Sequence, residues 1–372
     1  MTQSIASGER DLGDASPGSR VRVAIVAASP RWVGGQSVQA DALVRWWQQD
    51  PEADVRFVAV DPRLPSGLGW AERIPGLRTV LRMPFYGRDL WRAGKEVEIL
   101  HIFSASYWSF LLAPAPAWLL ARACGRKVLI NYHSGEAKDH LAHSRTALRV
   151  LKRVDAVVVP SSYLADVFRE FGVHASIVPN AVDLSQFRYR ARKPLRPLIV
   201  CTRGFHRYYS VDLVVRAFAE VKREFPEARL CLAGKGELEE PIKELVRQLK
   251  LQDVEFTGAI AHEDIHRYYE QADIFVNASW LDNMPISILE AFASGLPVVS
   301  TAPEGIARVV QDERTGLLCA PQDWRGLAVN VMRLLRDPEL AANLAANAYQ
   351  ECQKYTWDAV RPQWLEVYRS LQ

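Results

Sequence analysis

Apolar residues in this chain come in short unbroken runs, and a polar stretch with helical spacing follows each run. Residues 20–28 (RVRVAIVAA), 54–60 (DVRFVAV), 97–103 (VEILHIF), 127–133 (KVLINYH) and 155–161 (DAVVVPS) are rich in β-branched side chains. Runs that lack polar alternation are what strands buried on both faces look like. After the first run, SPRWVGG reads as a loop and QSVQADALVRWWQQ as a helix. Strand, helix, strand in this rhythm predicts a parallel, doubly wound sheet. At 188–198 the pattern breaks into RYRARKPLRPL, whose basic residues and prolines read as an interdomain linker. A second series then begins, with runs at 197–203, 228–234, 254–258, 273–279 and 296–301 separated by helical patterns such as SVDLVVRAFAEVKREF. The fold class expected is α/β, two Rossmann-like domains in tandem, over 21–190 and 191–354. Ligands of such sheets bind outside the carboxyl ends of the strands, so a reaction of two substrates belongs in the cleft between the domains.

Length agrees with this division, because 372 residues exceed what one hydrophobic core usually holds. A formal net charge of +3 is too small to argue for nucleic acid. Five cysteines are scattered, odd in number and form no C-x-x-C pair, which points to a reducing, cytoplasmic setting and away from structural zinc. Residues 1–20 mix both charges without an apolar core and are expected to be a disordered lead-in rather than a signal peptide. The run YWSFLLAPAPAWLLA (107–121) holds Pro114 and Pro116 and is shorter than a bilayer span, so it predicts a buried helix pair. Seven of the eleven tryptophans precede residue 119. Most are expected in the core, but indole also suits a membrane interface or a sugar-stacking surface, so peripheral contact with a membrane face stays open.

The segment LDNMPISILEAFASGLPVVS (281–300) carries the chemistry. It follows the strand pattern 273–279, which puts Asp282 in the loop at that strand's carboxyl end. Asp282 or Asn283 is placed to cap a helix of about ten residues, Pro285 fits its first turn, and Gly295 with Pro297 ends it. The free N–H groups at such a helix start form an anion site. Glu290 shares a stripe with Ser287 and Ser294, beside an apolar face of Ile286, Leu289 and Ala293. A carboxylate there accepts from paired hydroxyls such as those of a ribose. His133 ends the strand 127–133, and Gly34 and Gly35 permit close approach of backbone to a phosphate or an acceptor. His140 and His143 with Glu136 lack a further ligand, so no metal site and no cofactor are expected.

DNMPISILEAFASGLPVVST resembles the signature of the family 4 retaining glycosyltransferases, whose usual form is E-x7-E followed by a G-x-P-V-V strand. GGQ (34–36), VPNAVDLSQF (178–187), LAGKGELEE, VEFTGAI and ERTGLLCAPQD occur in the family's order. The resemblance implies the GT-B fold, in which the two domains face each other across a cleft and a terminal helix, here 355–372, crosses back onto the first. It implies a nucleotide-diphosphate sugar as donor, a hydroxyl acceptor (glycan, lipid-linked or small molecule), no metal and no nucleic acid. Carried onto this chain, Glu290 holds the ribose, while Asp282 with Asn283, Met284, Pro285 and Ile286 holds sugar and phosphate. His133 lies near the reacting centre with Asp282, and Gly34 and Gly35 form the phosphate or acceptor loop. Two departures stand out: Asp282 replaces the usual Glu, and the Lys that normally accompanies Arg203 on the diphosphate reads Tyr208 or Tyr209. Arg207 is then the candidate for the second charge. Two other readings stay open, a nucleotide-sugar binder with weak turnover and a UDP-sugar 2-epimerase of the same fold.

Overall fold

The computed structural model describes residues 20–29, 31 and 34–372; the predicted lead-in lies outside them apart from Arg20. The first sheet contains β1 (Val21–Ala27), β2 (Ala53–Ala59), β3 (Ile99–Ser104), β4 (Lys127–Tyr132), β5 (Ala156–Val159) and β6 (Ser176–Ile177), in the order β2-β1-β3-β4-β5-β6. The second contains β7 (Leu198–Cys201), β8 (Arg229–Leu232), β9 (Val254–Phe256), β10 (Ile274–Asn277), β11 (Val298–Thr301) and β12 (Leu317–Cys319), in the order β12-β11-β10-β7-β8-β9. Every pairing is parallel. The unbroken apolar runs are therefore explained: helices cover both faces, and β3, β10 and β11 are buried at every position.

Strand order fixes where a ligand can sit. In the second sheet the connections leave β7 toward opposite edges, with β8 on one side and β10 on the other. At this reversal the carboxyl ends of β7 and β10 open a crevice. Arg203 follows β7 and Asp282 follows β10, so two residues far apart in sequence meet there. The first sheet reverses between β1 and β3, and the loop containing Gly34 and Gly35 leaves β1 at that point.

The segment 188–198 is not a loose linker. Asp273, with no exposed surface, accepts from Arg190 at 2.6 Å and from Arg196 at 2.9 Å, and the Arg196 amide adds a bond of 2.7 Å. Arg192 is buried and donates to the carbonyls of Tyr269, Ala272, Ser294 and Gly295, which end two helices. Helix ends leave carbonyls without partners, and a guanidinium with five N–H groups can satisfy several of them together. The basic residues of this interdomain linker are also the clamp that seats the second domain's helices.

The terminal helix, Trp357–Arg369, returns to the first domain as expected. Val360, Trp364, Leu365 and Tyr368 pack with Val23, Ile25, Trp47 and Phe103 of the first sheet's core. Its charged side pairs Arg361 with Asp50 and Glu52. The run 107–121 does form two helices, α3 (Trp108–Leu112) and α4 (Pro114–Ala123), which follow α1 (Gly35–Gln48) and α2 (Pro75–Glu96), but only their inner faces are buried. Tryptophan placement is mixed: Trp47 and Trp364 are core residues, whereas Trp70, Trp91 and Trp108 are exposed.

Removing Asp273 leaves Arg192 inside the fold without its carboxylate, and breaking a buried charge cluster on one side costs about 3–5 kcal/mol. Asp273→Ala should lower the denaturation midpoint of the second domain strongly, whereas Glu313→Ala, which breaks only the exposed ion pair of Glu313 with Arg333, should leave stability within about 1 kcal/mol; urea titration followed by tryptophan fluorescence checks both.

Candidate active site

The helix after β10 spans Ile286–Ala293, eight residues rather than ten, and all eight are buried. Its cap position is Pro285, and no side chain caps it. The expected caps have other partners: Asp282 is drawn to Arg203, and Asn283 accepts from Ser161 of the first domain. The helix start therefore stays open toward the cleft, where Ile286 and Ser287 line a cavity.

Glu290 is 4% exposed. Its two oxygens have separate donors, His262 Nε2 at 2.7 Å and the Tyr269 hydroxyl at 2.7 Å. A buried carboxylate survives only with such partners. Burial first, and then the neighbouring Glu290, push the Tyr269 phenol well above its ordinary pKa and keep it a donor. Its oxygen also lies 2.7 Å from Thr202 Oγ1 at the end of β7. The chain Thr202–Tyr269–Glu290–His262 thus locks the helix to the strand beside it.

Arg203 lies across the centre of the cleft. One of its terminal nitrogens pairs with Asp282, the other donates to Ser287 Oγ at 3.1 Å, and the Tyr209 ring covers its guanidinium at 3.9 Å. Burial disfavours the charge more than any single neighbour favours it, but Asp282 together with Tyr209, Cys201 and Tyr269 raises the pKa of Arg203 and keeps it protonated. The buried Nε of Arg203 has no hydrogen-bond partner.

Two cavities meet at this arginine. The inner one, about 300 Å³, is lined by Gly34, Gly35, Arg203, Lys235, His262, Ser287 and Glu290 among others. The outer one, about 450 Å³, is lined by Gly34, Gly35, His133, Glu136, Arg203, Asp282, Asn283, Met284, Pro285 and Ile286 among others. A Cβ on Gly35 would stand 3.7 Å from Ile286 Cδ1, which shows how near the first domain's loop comes to the helix start. His133 lines the outer cavity, stacks on Phe103 and keeps a buried Nε2 without a partner. Burial pushes its pKa down to about 3, so the ring is neutral at ordinary pH.

Several contacts cross the cleft between the domains. Asn180 donates to the Met284 carbonyl at 2.9 Å, Tyr208 donates to Glu136, and Arg308 stands 3.6 Å from Asp166. A Cβ on Gly305 would sit 2.3 Å from the Asp282 carbonyl, so only glycine lets that turn press on the 282–283 loop.

Ten of the eleven expected site residues line these cavities. Arg207 does not. It is exposed, lies over the Tyr208 ring and faces a separate groove with Asp212 and Arg216. The 3₁₀ turn Arg207–Tyr209 directs Tyr209 inward and leaves Arg207 outside. Sequence reading missed His262 and Tyr269, whose role arises only from tertiary contact. Lys235 is exposed but lines the inner cavity, on a turn set against Arg203: a Cβ on Gly234 would stand 2.2 Å from the Arg203 carbonyl. Among the described residues no group of three or more His, Cys, Asp or Glu side chains is arranged to hold a metal ion.

Residues 186–351 match the glycosyl transferases group 1 family and residues 33–186 match Glycosyltransferase Family 4. A GDP-mannose-dependent alpha-(1-6)-phosphatidylinositol monomannoside mannosyltransferase of Mycolicibacterium smegmatis is 31% identical over 257 residues, 62% of this chain and 67% of that protein. The chain belongs to glycosyltransferase family 4. A glycogen synthase of Mycobacterium tuberculosis is 26% identical over 310 residues, covering 78% of this chain and 72% of the relative. HepE of Anabaena, solved with UDP-glucose, superposes with a TM-score of 0.76 at 16% identity, over 94% of this chain and 100% of that one, which establishes the shared GT-B fold. The chain is accordingly a glycosyltransferase, and these relationships favour transfer over the epimerase and over a protein that only binds.

His101, His133 and His140 are all pushed down by burial, His133 to about 3 and His140 to about 4. Such groups take up protons more readily when unfolded, so their contribution is complete above pH 6.5 and is lost as pH falls toward 4. The urea midpoint should fall over that window, and His140→Gln should flatten the fall; a variant with the parent's slope would contradict the assignment.

Proposed function

We propose that the protein transfers a sugar, with retention of configuration, from a nucleoside diphosphate sugar to a hydroxyl acceptor in the synthesis of a glycan, polysaccharide or glycolipid. The observation that carries this reading is the convergence of an uncapped helix start, Arg203 and a buried, doubly held Glu290 on one cavity. The inner cavity takes the nucleotide, with Glu290 accepting from the ribose hydroxyls. The diphosphate lies between Arg203, the amides that begin the Ile286–Ala293 helix, and the loop of Gly34 and Gly35. Lys235 supplies the second positive charge that the family draws from a lysine absent here, in place of Arg207. HepE's complex with UDP-glucose supports a donor of this class.

The sugar projects into the outer cavity, where Asp282, Asn283 and Met284 hold its hydroxyls and neutral His133 faces it. The acceptor oxygen forms its bond to the anomeric carbon as the bond from that carbon to the β-phosphate oxygen breaks. The bonding electrons leave with the nucleoside diphosphate, whose departing oxygen receives the acceptor's proton. Positioning and charge stabilisation do the catalysis, so no general base is needed. Asp282, one methylene shorter than the usual Glu, leaves more room around the sugar. The chain works in the cytoplasm without a metal, in peripheral contact with a membrane face.

For donor binding measured by calorimetry over UDP- and GDP-sugars, Glu290→Gln should weaken affinity at least about tenfold. Arg207→Ala should change it less than about twofold. Turnover should persist in EDTA, and product NMR should show the donor's anomeric configuration; an inverted product or full inhibition by EDTA would overturn the reading.

A further inference from the structure

The transferase site makes no use of one large face of the first domain. The 3₁₀ turn Ser66–Arg73, and the helices α2 (Pro75–Glu96), α3 (Trp108–Leu112) and α4 (Pro114–Ala123), pack together as one layer. Their inner surfaces are filled by Tyr86, Leu90, Phe110, Ala117 and Ala121. The Tyr86 hydroxyl donates to the Ala113 carbonyl at 3.0 Å and ties α2 to the α3–α4 corner.

The outer surface of that layer is apolar to an unusual degree. Fourteen large apolar side chains are exposed among the described residues, and nine of them lie between Trp70 and Leu119. Trp108 is 74% exposed, Val80 67%, Leu119 61% and Trp70 60%. Scattered exposed residues such as Phe57 and Val329 need no explanation, but a concentration of this kind marks an interaction surface.

Its charge identifies the partner. From Tyr107 to Gly135 there is no acidic residue, while Arg122, Arg126 and Lys127 are basic; α2 has Arg78, Arg88, Arg92 and Lys95 outside the core against Asp89 and Glu96, its fifth cation, Arg82, being buried and paired with Glu72. Three cations lie over aromatic rings of this layer: Arg88 over Phe85 at 5.5 Å, Lys95 over Trp91 at 5.2 Å and Arg122 over Trp118 at 5.8 Å. Aromatic and aliphatic tips beside arginines suit the boundary between anionic headgroups and acyl chains. A second copy of the same face would bring like charges together.

The layer also reaches the cleft. Tyr107 begins α3; its hydroxyl bonds Asp139 and its ring lies 5.1 Å from that of His140. Ala105 and Glu136, close by in sequence, line the outer cavity. No helix among the described residues is long and apolar enough to cross a membrane, so the contact is one of surface docking.

We infer that the outer face of α2, α3 and α4 docks on an anionic lipid bilayer and that the acceptor hydroxyl reaches the outer cavity from a lipid anchored in that bilayer. The docking does not depend on the chemistry of transfer; the acceptor's class rests on the transferase reading.

Flotation of the full chain with vesicles, in the absence of nucleotide sugar, tests the docking. Phosphatidylcholine vesicles containing phosphatidylglycerol should bind it, and pure phosphatidylcholine or high salt should release it. The double variant Trp108→Glu, Leu112→Glu should lose at least about tenfold in partitioning while keeping the parent's circular dichroism and donor affinity. Val329→Glu, outside the layer, should behave as the parent. Equal binding by the double variant, equal binding to neutral vesicles, or a vesicle-free dimer that the double variant dissolves would overturn the docking. If docking holds but the parent chain binds no nucleotide sugar, the transferase reading fails and the membrane surface stands. If both hold, transfer to a lipid-anchored acceptor in the vesicles should exceed transfer to its soluble headgroup, and equal rates would overturn the acceptor assignment.

Discussion

Glu290 is a carboxylate on a helix whose eight residues are all buried, and the arrangement of the second domain follows from keeping it there. Out of water the charge needs donors on both oxygens. Tyr269 and His262 provide them, and Tyr269 reaches on to Thr202 at the end of β7. Those bonds hold the Ile286–Ala293 helix against the strand that presents Arg203. At its far end the helix is held by Arg192, which binds the carbonyls of Ser294 and Gly295. A helix fixed at its middle and its end directs its open start at one place in the cleft.

At that place the electrostatics are balanced for an anion. Asp282, with Tyr209, Cys201 and Tyr269 nearby, keeps buried Arg203 charged, and Asp282 is in turn kept from capping the helix. The pair leaves the helix amides free, and Arg203 keeps an unused Nε. The first domain adds a glycine loop near Ile286 and struts from Asn180, Ser161 and Asp166 to the second domain. These struts are few and mostly single hydrogen bonds or an exposed ion pair, which suits a cleft that must open to exchange substrates.

The fold was largely legible in the sequence because parallel strands buried on both faces leave continuous apolar runs. β6 and β12, of two and three residues, are too short to leave such a trace. The positions of Asp282 and Glu290 were legible too, through the spacing of the motif. What could not be read were their partners. Asn283 looks like a helix cap until Ser161, more than a hundred residues away, is brought beside it. Arg192 looks like linker until its carbonyl partners are assembled around it. Arg207 looked like the missing cation because nothing local shows that the 204–209 turn faces Tyr209 inward instead. The run 107–121 looks buried throughout, since composition does not reveal that only one side of each helix meets the core.

A crystal structure with a bound nucleoside diphosphate sugar tests the site most directly, through the position of the two phosphates. They should lie within hydrogen-bond reach of Arg203 and the first amides of the Ile286–Ala293 helix, with the ribose hydroxyls on Glu290. Phosphates bound elsewhere in the cleft, or a ribose turned away from Glu290, would contradict the organisation of the site around that buried carboxylate.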